Sequence, residues 1–517
     1  MNALPAIANK QVTAEQDVEA EDRETGLAAS GLRRSQMKHN KMIKKLFLLL
    51  TTIVTVSFVV FQRSLLSRTV YSFDFSCPSI CFHTIFDRKP KHTNVVFLKT
   101  HKTASSTMQN IMFRFAERHN LTVALPVESC GHRFCYPNSF NPDFVHPHTK
   151  PPNIVASHMR FNKKELQRLM PNDTIYITIM REPSSMFESS FSYNLNGCAT
   201  FKRVPNHSLE AFLADPRRYY RPDEKDSMFA RNFLVFDLGR DNDHPATDAG
   251  FIQDLLAEVE QTFSLVMIAD YFDESLVVLR HLLSWDLDDI LYFKLNMRKE
   301  DSKQTLTPVL ASKIRAWNSL DTYLYDYFNA SLWRQILALG PGCVAKEVRE
   351  LRQAQESLMR SCFNGQVQLR SSTQIKNKSL RLLQLRRTAG IMGYDLPLNI
   401  SHGLSSHAQE LCLKLVISEV CYTGWLLHSQ SRHYLQRHQL RGTQQSPTVK
   451  KVVSLHPEAK HTQRSPDTPG HMSQTGFTSK KKGHDVEMQN QQLKPKLRPR
   501  SLKYNADQIK KHCISLF

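Results

Sequence analysis

The stretch Val95–Phe115, VVFLKTHKTASSTMQNIMFRF, decides the fold class of this 517-residue chain. An apolar, partly β-branched run leads into a glycine-free loop, and the loop opens a segment with apolar residues at helical spacing. This pattern predicts a strand, an anion-binding loop and a helix. The loop differs from a Walker A loop, which needs G-x-x-x-x-G-K-[ST].

Three kinds of group in this loop suit a phosphate or a sulfate: backbone N–H groups at a helix N-terminus, hydroxyls and ammonium groups. The residues predicted to hold the anion are Lys99, Thr100, Lys102, Thr103, Ala104, Ser105, Ser106 and Thr107.

A second motif lies between Ile175 and Tyr193, IYITIMREPSSMFESSFSY. It predicts a strand that ends in Arg181, followed by a helix with Pro183 in its first turn and Ser189 in its body. The guanidinium and the hydroxyl can converge on one anion at the carboxyl edge of a parallel sheet, where open α/β sheets bind ligands. Two anion sites imply a nucleotide with two separated charged groups.

The two motifs resemble the 5′-phosphosulfate loop and the 3′-phosphate site of Golgi sulfotransferases, which use 3′-phosphoadenosine-5′-phosphosulfate (PAPS). The resemblance is strongest to the galactose 3-O-sulfotransferase family, and it covers about residues 94 to 396. Further segments that carry it are RFAERHNLTVALP, ASHMRF, FARNFLVFDLG, YFDESLVVLRHLLSWDLDDILYFKLN and FNASLW. The segment RLLQLRRTAG, at 381–390, departs from the family, which has a PWQP-like segment there.

The resemblance implies an α/β, P-loop-like sulfotransferase fold, in which helices flank a central, mostly parallel sheet. It also implies PAPS as co-substrate without a metal, and transfer of sulfate to the 3-hydroxyl of terminal β-galactose on glycoprotein glycans or N-acetyllactosamine-type oligosaccharides. One alternative is a galactosylceramide sulfotransferase. Another is a catalytically idle Golgi glycan-binding protein, which would usually have lost Lys102, Arg181 or Ser189; all three are present.

Sulfuryl transfer needs cations around the sulfonate and the departing oxygen. The resemblance assigns this role to Lys102, and Lys99 is the second candidate. It also assigns Arg181 and Ser189 to the 3′-phosphate of the donor.

The reaction also needs a base for the sugar hydroxyl. His158 is predicted for this role because it follows the strand NIVAS and resembles the position of the catalytic histidine in uronyl 2-O-sulfotransferases. His101, inside the anion loop, is the alternative base, and Glu188 is a more remote one.

Two segments outside the motifs attract a functional interpretation. The carboxylates of Asp286, Asp288 and Asp289 cluster as metal ligands do, but an acidic helix start explains them better. The segment Asn296–Lys299 (NMRK) is a candidate to close over the nucleotide.

A transmembrane signal anchor is predicted at 43–66, around the uncharged run Leu46–Phe61. Basic residues precede the run, so the N-terminus is expected in the cytosol of a type II Golgi membrane protein with a lumenal catalytic domain. A cleaved signal peptide is the alternative, but about 45 residues precede the run. The predicted domains are a cytosolic tail (1–42), the anchor (43–66), a stem (67–92), the sulfotransferase domain (93–425) and a basic tail (426–517).

Sequons and cysteines agree with a lumenal location. Ten cysteines suit an oxidising compartment, in which Cys130 is a candidate to pair with Cys135, and Cys343 with Cys362. No cysteine and histidine pattern with zinc-ligand spacing occurs. The predicted N-glycosylation sites, all after the anchor, are Asn120, Asn172, Asn206, Asn329, Asn377 and Asn399.

The net charge of +20 invites a nucleic-acid-binding interpretation, but its distribution argues against one. The segment from Ser431 to the end contains 17 Lys and Arg residues and 5 Asp and Glu residues, so about +12 of the charge lies there. This polar tail cannot bury a core and is predicted to be disordered. The expected partners are a galactose-terminated glycan and the Golgi membrane, with no nucleic acid. The sequence leaves the oligomeric state open.

Overall fold

The computed structural model describes residues 89–371, 374–376, 380–381, 390–397 and 405–444. The predicted anchor at 43–66, the cytosolic tail, most of the stem and the sequons Asn377 and Asn399 lie outside these ranges. Within them, every helix is too short or too polar to cross a membrane.

A parallel sheet of five strands forms the centre of the described fold. Its spatial order is β2-β3-β1-β4-β5, and Val95 in β1 lies opposite Ile154 and Ile175 in the neighbouring strands. All residues of β1 and β5 are buried, because helices cover both faces of the sheet. The strands are β1 Val95–Leu98, β2 Val123–Ala124, β3 Ile154–Val155, β4 Ile175–Met180 and β5 Leu265–Ile268.

Helices flank this sheet, as the sequence predicts. Their bounds are α1 Ser105–Arg118, α2 Lys163–Leu169, α3 Pro183–Asn194, α4 Ala199–Lys202, α5 Leu209–Ala214, α6 Pro216–Tyr219, α7 Phe233–Asp237, α8 Ala249–Thr262, α9 Phe272–Leu283, α10 Pro308–Trp317, α11 Ser319–Leu339, α12 Pro341–Phe363, α13 Ser406–Val416 and α14 Glu419–Gln444. A second, antiparallel sheet has the order β6-β8-β7, with β6 Met297–Arg298, β7 Leu369–Ser371 and β8 Ile391–Tyr394.

Helix α1 is buried on nearly all sides, with every residue from Thr107 to Ala116 buried. The C-terminal helices α13 and α14 pack against it. Asn110 donates a hydrogen bond to the carbonyl of Lys414 at 2.8 Å, and the ring of Phe113 meets Tyr422 edge to face at 5.4 Å. A helix that is buried all round is expected in the core of a large α/β domain.

The structure confirms the strands and helices that short apolar runs of the two motifs predict. The strand predicted in the first motif spans Val95–Leu98, and the helix predicted after the anion loop begins at Ser105. The strand predicted in the second motif spans Ile175–Met180 and ends one residue before Arg181. Helix α14 runs to Gln444, so the domain boundary predicted at 425 falls inside a helix. Burial of Tyr422 and Leu426 explains why the chain stays helical across that point.

The disulfides confirm one predicted pair and correct the other. Cys130 bonds Cys135 as predicted, whereas Cys362 bonds Cys412 on α13. A bond between Cys343 and Cys362 is sterically impossible, because both lie on the continuous helix α12 and are separated by about 28 Å along its axis.

Candidate functional site

The anion loop connects β1 to α1 and lines a cavity of about 750 Å³. Lys102 and Ala104 adopt left-handed backbone conformations, with φ of 63° and 62°. Such conformations cost on the order of 1–3 kcal/mol at non-glycine residues and concentrate at ligand-binding sites. Lys99 follows β1 and Arg181 follows β4, so the cavity lies at the carboxyl edge of the parallel sheet, as the sequence predicts.

Most hydroxyls of the loop hold the loop itself in place. Thr100 donates to the carbonyl of Ile179 at 2.5 Å, and the hydroxyls of Thr100 and Thr103 lie 2.8 Å apart. Ser105 donates to the carbonyl of Thr100, also at 2.5 Å. The Thr107 hydroxyl accepts a hydrogen bond from a backbone N–H of the segment before β6. These contacts fix the loop backbone, and they leave Ser106 as the half-buried hydroxyl on the cavity wall.

The ammonium of Lys99 is the centre of the buried polar network. Its Nζ lies 2.7 Å from His158 Nε2, 2.9 Å from Glu419 Oε2 and 3.4 Å from Ser106 Oγ. The Lys99 side chain is only 1% exposed. Such a buried charge needs close polar partners, and three different segments supply them.

His158 is held as a neutral ring. Its Nδ1 lies 2.8 Å from the carbonyl oxygen of Lys99 and therefore carries the proton that it donates. Its Nε2 accepts from the Lys99 ammonium. Burial, with the neighbouring charge of Lys99 in addition, lowers the pKa of His158 well below its ordinary value. The nitrogen that a general base would use is occupied in this state.

His101 has the opposite environment. Its Nδ1 lies 3.0 Å from the buried carboxylate of Asp237, which also accepts hydrogen bonds from the His101 backbone N–H and from the Tyr136 hydroxyl, both at 2.9 Å. The carboxylate fixes the proton on Nδ1 and leaves Nε2 with a lone pair. Burial lowers the pKa of His101 despite this carboxylate. The rings of His101 and His158 stack at 3.8 Å.

The second predicted anion site faces the same cavity. Arg181 donates to the carbonyl of Lys102 at 3.2 Å and to the Ser185 hydroxyl at 3.1 Å, and Ser189 lines the cavity from α3. Glu188 is engaged by Arg298, at 3.0 Å between Oε1 and Nη1. Burial tends to raise the pKa of Glu188, but the hydrogen bonds from Arg298, the Gln304 backbone and Ser192, together with the charge of Arg298, lower it below its ordinary value. This pairing argues against Glu188 as the base.

The wall of the cavity is rich in cations. The segment Asn296–Lys299 lies on it, and Asn296 donates to Ser106 at 2.8 Å. The lining cations are Lys99, Lys102, Arg181, Lys294, Arg298, Lys299, Lys303 and Arg352. The lining carboxylates are Asp270, Asp273, Glu274, Glu300 and Glu419. This excess of positive charge suits an anionic ligand.

The acidic cluster has a structural explanation in ion pairs. Asp286 and Asp289 both contact Lys91, with oxygens 2.7 and 2.5 Å from its Nζ, and Asp288 lies 3.3 Å from Arg118. Within the described ranges, no group of three or more His, Cys, Asp and Glu side chains is arranged to hold a metal ion.

Three contributors to the site were missed in the sequence. Asp237 lies in FARNFLVFDLG, a segment that carries the family resemblance without a recognised role for the carboxylate. Tyr193 ends the second motif, and the Lys102 ammonium lies 3.8 Å from the centre of its ring. Glu419 follows Lys99 by 320 residues, and no local spacing relates the two.

The carboxyl edge of the parallel sheet thus holds a cationic cavity, an anion loop and a histidine–carboxylate pair. This arrangement suits a group-transfer enzyme that binds an anion. The galactose-3-O-sulfotransferase family model matches residues 29–430. The chain belongs to this family and is a sulfotransferase.

Named relatives agree with this assignment. Galactose-3-O-sulfotransferase 3 of Bos taurus is 49% identical over 427 residues, which are 82% of this chain and 98% of that protein. Its Homo sapiens counterpart is 52% identical over 78% of this chain and 92% of that protein. Galactosylceramide sulfotransferase of Homo sapiens is 41% identical over 64% of this chain and 77% of that protein.

The two histidines predict a pH-dependent stability. Because their pKa values are lowered by folding, the unfolded chain takes up protons near their ordinary pKa of 6.5 while the folded chain does not. The free energy of unfolding should therefore fall as the pH drops below about 7, by up to about 1.4 kcal/mol per pH unit for each histidine. Denaturant unfolding at a series of pH values measures this slope.

The variant His158→Gln removes one of the two groups. The slope of the free energy of unfolding against pH should therefore decrease by up to about 1.4 kcal/mol per pH unit, the contribution of one proton. The exposed His207, substituted in the same way, is the control and should leave the slope unchanged. A slope that is the same in wild type and His158→Gln would contradict the neutral, buried state of His158.

Proposed function

We propose that the chain transfers the sulfuryl group of PAPS to the 3-hydroxyl of a terminal β-galactose, with glycoprotein glycans and N-acetyllactosamine-type oligosaccharides as acceptors. The observation that carries this proposal is the cavity itself, in which the anion loop and the Arg181 and Ser189 pair face one cationic space. The family assignment supplies the reaction type and the galactose acceptor.

The donor assignment rests on charge and spacing. Helix α1 begins in the anion loop at Ser105, and a helix N-terminus favours an anion. Lys102 and Ser106 lie on the cavity wall beside this helix start. These groups suit the 5′-phosphosulfate. Arg181 follows β4, a sheet neighbour of β1, and Ser189 lies on α3. These two residues suit the 3′-phosphate.

The acceptor assignment rests on the ranking of the relatives. The proteins named galactose-3-O-sulfotransferase 3 are 49–52% identical to this chain, against 41% for galactosylceramide sulfotransferase. The higher identity extends over a larger share of the chain. This favours a galactose-terminated glycan or oligosaccharide over galactosylceramide as the acceptor.

His101 is the better candidate for the base. His158 was favoured in the sequence, but its Nε2 accepts from the Lys99 ammonium, whereas Asp237 orients His101 and leaves its Nε2 available for a proton. In the proposed reaction the proton of the sugar hydroxyl goes to His101 Nε2 as the oxygen attacks sulfur. The bond from sulfur to the 5′-phosphate breaks, and Lys102 stabilises the charge that develops on the departing oxygen.

The first test is the reaction. The purified protein, incubated with labelled PAPS, should sulfate terminal β-galactosides at the 3-hydroxyl and should prefer an N-acetyllactosamine acceptor to galactosylceramide. Linkage analysis of the product locates the sulfate. Preference for galactosylceramide would replace the proposed acceptor, and the absence of label from every galactoside would contradict the proposed function.

The second test separates the two histidines. His101→Ala should lower turnover by roughly 100-fold or more, the usual scale of general-base catalysis, with donor affinity changed much less. His158→Ala should affect the placement of Lys99 and hence donor binding as well as turnover. Turnover and affinity for 3′-phosphoadenosine-5′-phosphate (PAP) are measured for both variants. Full activity of His101→Ala would return the base to His158.

The proposed setting is the Golgi membrane, with a single type II span and a lumenal catalytic domain. The disulfides Cys130–Cys135 and Cys362–Cys412 support an oxidising compartment. The sequon residues Asn120, Asn172 and Asn206 are exposed. Asn329 is half-buried in α11, where its side-chain oxygen is inaccessible, so it is the poorest of these four glycosylation candidates.

Protease digestion of sealed vesicles tests this topology. Only the short N-terminal segment should be trimmed, and the catalytic domain should be protected until detergent is added. Cleavage of the catalytic domain in intact vesicles would reverse the orientation. Glycosidase treatment of the protected fragment should shift its mass if the sequons are occupied.

A further inference from the structure

A carboxylate from the C-terminal part of the chain contacts the anion-binding loop. Glu419, the first residue of α14, is 5% exposed at its side chain and lines the cavity. Its Oε2 accepts a hydrogen bond from Ser106 Oγ at 3.1 Å and lies 2.9 Å from Lys99 Nζ. Its Oε1 lies 3.6 Å from His132 Nε2. One carboxylate oxygen thus engages both the hydroxyl and the ammonium of the loop.

The position of this carboxylate is fixed by the docking of α14. Tyr422, 1% exposed, packs against Phe113, and its hydroxyl donates to Glu117 on α1. Further along the helix, Gln430 accepts from the backbone N–H of Val123 at 2.8 Å and donates to its carbonyl at 3.3 Å. The packing of α14 therefore holds Glu419 in the cavity wall, unlike an exposed side chain that could turn toward the cavity from the surface.

Carboxylate, phosphate and sulfonate oxygens accept hydrogen bonds from the same donors. Ser106 and Lys99 belong to the loop that the proposed function gives to the 5′ end of PAPS. When that anion arrives, it competes with Glu419 for these two groups, and the two negative charges repel each other at short range. Before it arrives, Glu419 compensates the buried charge of Lys99.

We propose that the Glu419 carboxylate holds Ser106 and Lys99 until the donor binds, yields these two groups to the donor and speeds the release of the spent nucleotide. Glu419 is thus a positioning residue that sets how long a 5′-phosphorylated nucleotide stays bound. This inference rests on the proposed function, because it takes the loop as the 5′ site of PAPS.

The variant Glu419→Gln tests the role of the charge. Glutamine keeps the shape and still accepts hydrogen bonds from Ser106 and Lys99, but it no longer repels an anion. Since two unit charges a few ångströms apart interact strongly near a protein surface, PAP should bind at least about tenfold more tightly and dissociate correspondingly more slowly. Calorimetry gives the affinity, and stopped-flow displacement gives the dissociation rate.

Two further variants complete the test. Glu258→Gln removes a carboxylate of α8 that pairs with Arg240 outside the cavity lining and away from α14, and its PAP dissociation rate should equal that of wild type. Glu419→Asp draws the charge back by one carbon, so its rate should lie between those of wild type and Glu419→Gln. Thermal unfolding verifies that each variant is folded.

The order of dissociation rates decides the outcome. PAP should dissociate fastest from wild type, more slowly from Glu419→Asp and most slowly from Glu419→Gln. If Glu419→Gln does not fold, the deciding result is slower dissociation from Glu419→Asp than from wild type. Release from Glu419→Asp at or above the wild-type rate, or unchanged or weaker PAP binding by folded Glu419→Gln, would overturn the proposal. A wild-type protein that binds no PAP would instead overturn the proposed donor.

Discussion

The buried ammonium of Lys99 is the constraint on which the rest of the site depends. A charge with 1% exposure destabilises the folded chain unless it is compensated by hydrogen bonds and an opposite charge. His158 and Glu419 provide both, from a loop after β3 and from the start of α14. The C-terminal helices are therefore part of the site. The Cys362–Cys412 bond ties α13 to α12, which also fixes that part of the chain.

A second buried network of hydrogen bonds orients His101. Asp237 ends α7 and contacts His101, while Asp321 on α11 accepts hydrogen bonds at the start of α7 from the backbone N–H groups of Leu234 and Val235, at 3.2 and 3.1 Å. Burial raises the pKa of Asp321 to about 7. The orientation of His101, the proposed base, thus depends on helix α11 through α7, and contacts well away from the cavity support it.

The sequence predicted the parts of the site that are local in the chain. The strand, loop and helix around Lys99, and the strand and helix around Arg181, follow from short apolar runs with recognisable ends, and the structure brings both to one sheet edge. The sequence did not predict which loop hydroxyls bind the loop backbone instead of facing the cavity. Thr103 and Ser105 bind the backbone of Thr100, because a loop with two left-handed residues needs its own hydrogen bonds.

What the sequence missed is the charge balance, because it is set by residues far apart in the chain. His101 and His158 stack at 3.8 Å, yet one ring faces the carboxylate of Asp237, 136 residues away, and the other faces the ammonium of Lys99. Residue type cannot distinguish these two environments, and neither can spacing. The chemical roles of two adjacent histidines therefore follow from tertiary contacts, and a single sequence motif assigns them only as a pair.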